Sequence, residues 1–211
     1  DLAGQPSVST QGKTPAELGT TLADTLTTMA RAINLQKLGA AVGPGALDVD
    51  VALLTGPDKN DLTEVVAASV PRLIPEDQVH ILARNNMDQP VDVNVLYIGA
   101  DYAISHWFAG RLQPGDRLKK GLFKIGDASF GDERMIVVVT PAKPQSPVED
   151  LAFLAQDSLD TTRGFGGSAL SAALAEAGFG QTTRSAAALD DDDSGPEAGI
   201  IEIEVQTVPA D

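Results

Sequence analysis

Cysteine is absent from the 211 residues, which removes thiol nucleophiles, disulfides and Cys-ligated zinc together and leaves the redox compartment unmarked. Histidine is scarce, with only His80 and His106, and no His-x-x-x-His or Glu-x-x-His spacing offers a metal site. Positive charge is short as well. Fifteen Lys and Arg against thirty Asp and Glu give a formal net charge of −15, which repels a phosphate backbone and an anionic membrane surface. Nucleic acid is therefore not an expected partner. No apolar run approaches the roughly 18 residues of a membrane span. The chain opens at Asp1 with neither Met nor a signal-like apolar core, so a trimmed or excised piece of a longer protein is expected. The composition is that of a soluble chain and admits a periplasmic or secreted setting without selecting one.

What is present is ordinary for a folded domain: 43% hydrophobic residues, 21% charged and a mean hydropathy of −0.02 exclude wholesale disorder and a fibrous polymer. Residues 1–13 are polar and rich in Gly, Pro and Ser, which predicts a flexible linker. Thr14-Pro15-Ala16-Glu17 then reads as an N-cap, a proline in the first helical turn and a glutamate at the third position. Leu18, Leu22, Leu26, Met29 and Ile33 draw one apolar stripe, so the span 14–43 is expected to be a helix stopped at Gly39 or at Gly43-Pro44.

From residue 46 the period changes to two. Leu47, Val49, Val51 and Leu53 alternate with polar neighbours, the signature of a half-buried strand. Residues 62–70 are apolar without a readable period. Residues 79–84 and 91–98 read as strands joined by Asn85-Asn86-Met87-Asp88-Gln89-Pro90, a six-residue hairpin loop. Further strands are expected at 102–108, 118–125 and 135–140. The last, with Ile136, Val137, Val138 and Val139 unbroken, fits a central strand covered on both faces. Residues 148–156 and 168–177 read as short helices, and 200–205 as a returning strand. The fold class is thus mainly β with helices (α+β). The expectation is an antiparallel β-sandwich of about seven strands, with its core in 46–145. An N-terminal helix and two short C-terminal helices from 146–211 pack on it.

Few residues offer chemistry. Both histidines lie on predicted strands without a strained Gly-x-Ser-x-Gly turn nearby, and a structural role is favoured for each. Asp190 to Asp193 could ligate calcium, yet the run lacks the alternation and terminal glutamate of a calcium loop, which favours a solvated segment. Gly164, Gly166 and Gly167 lead a helix but have no preceding strand of the dinucleotide-binding type, so they read as a connection. No metal, cofactor or catalytic residue is expected. Two clusters stand out as partner-binding candidates: the aromatics Tyr97, Tyr102 and Trp107, for which core packing is the default reading and a surface recognition anchor the other, and the cations Arg111, Arg117, Lys119 and Lys120, joined by Lys124. The cations could dock an acidic partner; as edge-strand lysines they would discourage sheet pairing.

One stretch looks like something known. Pro90-Val91-Asp92-Val93-Asn94-Val95-Leu96-Tyr97-Ile98, the turn Gln113-Pro114-Gly115-Asp116, and Gly131-Asp132-Glu133-Arg134-Met135-Ile136-Val137-Val138-Val139-Thr140-Pro141 carry the likeness. Together they resemble the C-terminal domain of unknown function that follows the peptidase domain in bacterial caspase-like cysteine peptidases. Residues 150–156 and 177–180 extend it. The resemblance covers no His-Gly or Cys peptidase segment. It implies a non-catalytic binding or regulatory module, partnered by an attached or cleaved caspase-like peptidase domain, that docks substrate, assists assembly or restrains the protease. The alternative expectation, from charge and fold class, is an extracytoplasmic sandwich module for glycans or calcium.

Overall fold

The computed structural model describes residues 11–45, 47–65, 70–126, 130–143, 145–157 and 198–210. The helix begins where the capping chemistry places it. In α1 (Pro15–Val42) the Thr14 hydroxyl accepts from the Glu17 N–H at 3.3 Å, and the Glu17 carboxylate accepts from the Thr14 N–H at 2.7 Å. Those bonds hold the Glu17 carboxyl below its usual range. Of the two stops the glycines offered, the second is used. Gly43 at φ 62° ends the helix with its N–H on the Gly39 carbonyl, while Gly39 sits inside the helix, where an added Cβ would lie 3.4 Å from Ile200. An alanine at 39 would make ordinary contact there, while a longer side chain would press on Ile200 and Ile136 of the sheet.

Nine strands form two sheets among the described residues: β1 (Val49–Asp58), β2 (Asp61–Glu64), β3 (Arg72–Leu73), β4 (Gln78–Asn85), β5 (Val91–Ile98), β6 (Ile104–Leu112), β7 (Arg117–Lys124), β8 (Gly131–Pro141) and β9 (Gly199–Thr207). One sheet runs β2-β1-β4-β7 and the other β3-β9-β8-β5-β6. All pairings are antiparallel except β3 with β9. The fold is mainly β and sandwich-like, as expected, but its strand count exceeds the expected seven. β2 and β3 are too short, at four and two residues, for a period to show in sequence.

The inner faces of the two sheets meet in a cluster that includes Leu53, Val79 and Ile81 from the four-stranded sheet and Val93, Val95, Met135 and Val137 from the five-stranded one. A second cluster lies on the outer face of the five-stranded sheet, where Leu96, Ile98, Ile136, Val138 and Ile200 pack against Ala32 and Leu35 of α1 and Leu151 and Leu154 of a later segment. β5 and β8 therefore have an apolar layer on each side, which explains the unbroken valine run in β8.

Three expectations need correction. The stripe Leu18, Leu22, Leu26 does not enter the core: these residues are 40%, 56% and 56% exposed, and only the C-terminal half of α1 reaches the sheet, through Ala32, Leu35 and Gly39. The helix is longer than the surface it covers, so periodicity marks the helix but not which end docks. Residues 148–156 do not form an α-helix; they hold one 3-10 turn at Ala152–Leu154. That segment is extended because side chains of β5 tie down its backbone: the Leu151 N–H donates to Asn94 Oδ1 at 3.0 Å, the Glu149 N–H to Asp92 Oδ2 at 2.9 Å, and Asn94 Nδ2 to the Glu149 carbonyl at 2.8 Å. Finally, β4 and β5 are not a hairpin, since they lie in different sheets. Their connection is an arch, because both strands present residues to the same interior. The expected helix at 168–177, the acidic run at 190–193 and the glycine-rich segment at 164–167 lie outside the described residues.

The arch has a partner. β6 pairs with β5, crosses back to the other sheet, and becomes β7 beside β4. Two long antiparallel arms are thus bent together, at 86–90 and at 113–116, and the buried Asn85 joins the bends. Its Nδ2 donates to the Gln89 and Leu112 carbonyls at 2.9 and 3.1 Å, its Oδ1 accepts from the Met87 N–H at 3.0 Å, and its carbonyl accepts from the Gly115 N–H at 2.9 Å. Gly115 has φ 80°, a left-handed position that suits glycine in this turn. No described helix is long and apolar enough to cross a membrane.

Candidate functional site

The bent arms leave β6 and β7 at the edges of their respective sheets, on the same side of the sandwich. Each edge strand carries an extra residue there. Val95 faces Phe108 and Leu96 faces His106, so Trp107 is unopposed; Val79 faces Phe123 and His80 faces Gly121, so Leu122 is unopposed. Bulges bend and twist a strand. Here they bring the two edges into contact through aromatic rings: Trp107 of β6 lies over Phe123 of β7 with centroids 4.9 Å apart at 30°, and Tyr97 of β5 meets Phe123 edge-on at 4.7 Å and 60°. Trp107 remains 41% exposed.

Beneath these rings is a cleft of about 240 Å³, lined among others by Tyr97, Asp101, Ser105, Trp107, Phe123 and Glu133. Its volume suits a side chain more than a whole cofactor. At its base the Tyr97 hydroxyl donates to Glu133 Oε2, and the Ala100 N–H donates to Oε1 at 3.3 Å. Glu133 is only 5% exposed, and burial pushes its carboxyl above the usual carboxylate range, against the hydrogen bonds of Tyr97, Ala100 and Thr207 that pull it down. The charge of Asp101 adds to the rise. The Tyr97 phenol is pushed well up in turn, by burial first and then by Glu133.

A stability consequence follows from the raised carboxyl. The folded protein keeps the Glu133 proton to higher pH than the unfolded chain does, so the native state binds more protons across that interval and loses stability as pH rises through it. Glu133→Gln cannot titrate. The unfolding free energy of the wild type minus that of the variant is expected to fall as pH rises from about 4 towards 7, measured by urea denaturation. A difference that stays constant across the range would contradict a raised carboxyl.

The partner-binding candidates divide. Tyr97 and Trp107 come together at the cleft. Tyr102 does not; it occupies the turn between β5 and β6 at φ 64°, packs against the outer cluster, and its carbonyl accepts from Gln156 Nε2 at 2.9 Å. Arg111 is engaged on the outer face, where its Nε and Nη2 grip the Asp92 carboxylate at 2.7 and 2.8 Å and Nη1 donates to the Ser146 carbonyl at 2.9 Å. Arg117, Lys119 and Lys120 are exposed on β7, which pairs only with β4 among the described residues. That is where charged side chains guard a sheet edge. Lys124 pairs with Glu76.

Sequence reasoning missed Asp101, Phe123 and Glu133. Only register could have found them: Glu133 is the second of two adjacent acids near the start of β8, and it meets Tyr97 because β8 runs antiparallel to β5, with Tyr97 opposite Met135. The histidines lie elsewhere. His106 Nε2 is 3.1 Å from Asn94 Oδ1 and 3.7 Å from Asp150 Oδ1, and burial lowers its pKa against the pull of Asp150. His80 contacts Gln78 at 3.3 Å, and desolvation followed by Lys119 lowers its pKa.

Neither a protein-family model nor a curated protein matches the chain.

Proposed function

We propose that this chain is a non-catalytic binding module that holds a protein partner at the cleft between β6 and β7. The observation that carries the reading is the Trp107–Phe123 pair, which joins two sheet edges while leaving the tryptophan 41% exposed above a cleft. An exposed indole over a concave, partly apolar floor has the chemistry of a recognition anchor. The role of both histidines supports it, since each bonds to an amide side chain and neither is bonded to a serine or threonine hydroxyl among the described residues. The partner proposed is the caspase-like peptidase domain to which the motif resemblance points, with the module docking or restraining it.

The experiment is a titration of the full chain with that peptidase domain by calorimetry. Saturable binding is expected, and Trp107→Ala should weaken it by about 2 kcal/mol or more, the loss typical of an interface hot spot. Lys119→Ala on the edge of β7 should alter affinity by less than about 1 kcal/mol. Absence of binding, or binding indifferent to Trp107, would refute the docking site.

A further inference from the structure

We propose that the cleft beneath Trp107 receives a cationic side chain, lysine or arginine, from the partner's peptide segment. The inference rests on the reading of this cleft as the docking site and names what enters it. Three aromatic rings, Tyr97, Phe123 and Trp107, stand on its walls, and two carboxylates, Asp101 and Glu133, lie in its lining. An ammonium or guanidinium group is drawn to the faces of aromatic rings, to indole most strongly. Carboxylates at the end of such a cage complete the recognition of positive charge.

The carboxylates are also unspent. Glu133 accepts hydrogen bonds from a phenol, a backbone amide and the Thr207 hydroxyl, but neither it nor Asp101 forms an ion pair with a lysine or arginine among the described residues. Lys124 belongs to the lining, yet its ammonium group is taken by Glu76. A buried carboxyl without a counter-ion is costly to ionise, and an incoming cation would remove that cost. The stem of a lysine or arginine would lie along Trp107 and Phe123, burying its methylene groups while the charged end reaches Asp101 and Glu133. A neutral aliphatic side chain would gain only the first half of this. The formal charge of −15 attracts such a segment from a distance.

Proton linkage gives the proposal a second signature. The titratable groups acting on Glu133 are Asp101 from the turn after β5 and the neutral Tyr97 phenol from β5, with Lys124 at the end of β7 in the same lining; Thr207 of β9 contributes only a hydroxyl. A bound cation favours ionised Glu133, so affinity should rise with pH until that carboxyl is fully ionised even in the free protein.

Trp107 is the sole tryptophan, so its fluorescence reports on the cleft directly. The test titrates the full chain with three capped tripeptides that differ only at the centre: lysine, arginine or the neutral isostere norleucine. Saturable fluorescence changes are expected with lysine and arginine, and at least tenfold weaker ones with norleucine. Glu133→Gln should weaken the lysine peptide by about tenfold or more and flatten the pH dependence. Circular dichroism and melting confirm that the variant is folded, and Asp101→Asn provides a second, more exposed removal of charge. Equal responses to lysine and norleucine, or lysine affinity unchanged in both variants, would overturn the cation proposal. If the lysine peptide fails while the peptidase domain still binds in a Trp107-dependent way, the docking site stands and only its cationic occupant falls. If the peptide binds and the domain does not, the cleft chemistry stands and the partner is wrong.

Discussion

Asn85→Ala is expected to lower the free energy of unfolding by about 3–5 kcal/mol, an unusually large effect for a polar residue that lies in no site. The side chain makes three hydrogen bonds, two to the Gln89 and Leu112 carbonyls and one from the Met87 N–H. Asn85 itself is 0% exposed. Truncation strands the Leu112 carbonyl in the interior and leaves the Gln89 carbonyl and the Met87 N–H without their partner at partly buried positions, and a group stranded in the interior costs about 1–3 kcal/mol. Its neighbour supplies the control. Asn86 also bonds by side chain, to Asp48 and Asp50 at 3.2 and 2.9 Å, but at the surface, so Asn86→Ala should cost less than about 1 kcal/mol. Urea denaturation of both variants decides the matter, and equal losses would show that joining the two bends is not what Asn85 contributes.

Ile136→Ala should destabilise by about 2–5 kcal/mol, the range for deleting a large aliphatic from a packed interior. The residue is 0% exposed and belongs to the outer cluster shared by the five-stranded sheet, α1 and the 3-10 turn. Its loss should therefore be felt unequally. Amide exchange in the C-terminal half of α1 is expected to accelerate more than in β4, which touches only the inner cluster through Val79, Ile81 and Ala83. Val137→Ala, one residue along and facing inward, should reverse that order. Uniform acceleration in both variants would mean that the two apolar layers do not open separately.

Much of the architecture can be read from the residues alone, and the reasons for success and failure are physical. The cap at Thr14, the period-two strands and the doubly covered β8 depend on local bonding and on burial along one strand. Sheet membership does not. The loop Asn86 to Pro90 has hairpin chemistry in isolation, yet the strands on either side of it belong to different sheets; the alternation of Val91, Val93 and Val95 is the same for a hairpin and an arch. The stripe of Leu18, Leu22 and Leu26 was legible as a helix, whereas its exposure depends on how far the sheet extends beneath it.

The cleft was half legible. Aromatics crowded between Tyr97 and Trp107 marked one wall, because that wall is built from adjacent strands joined by a tight turn. Phe123 and Glu133 reach it through two bulges and a cross-strand register, neither of which leaves a mark in a single sequence. The cations beside the cleft drew attention by density. Their positions show two different employments: Arg111 fastens the segment that runs over the outer face, and Arg117, Lys119 and Lys120 line an open edge.

β9 lies between β3 and β8, in the interior of the larger sheet, although it is the last strand in the chain order. During synthesis its place stays vacant until residues 199–207 leave the ribosome, long after both neighbours have emerged. The nascent chain must then carry two unsatisfied strand edges and an uncovered patch of valine and isoleucine through that delay. Such half-built sheets are prone to recruit strands from other molecules. A chain cut short before β9 would be expected to accumulate as aggregate instead of a smaller folded domain.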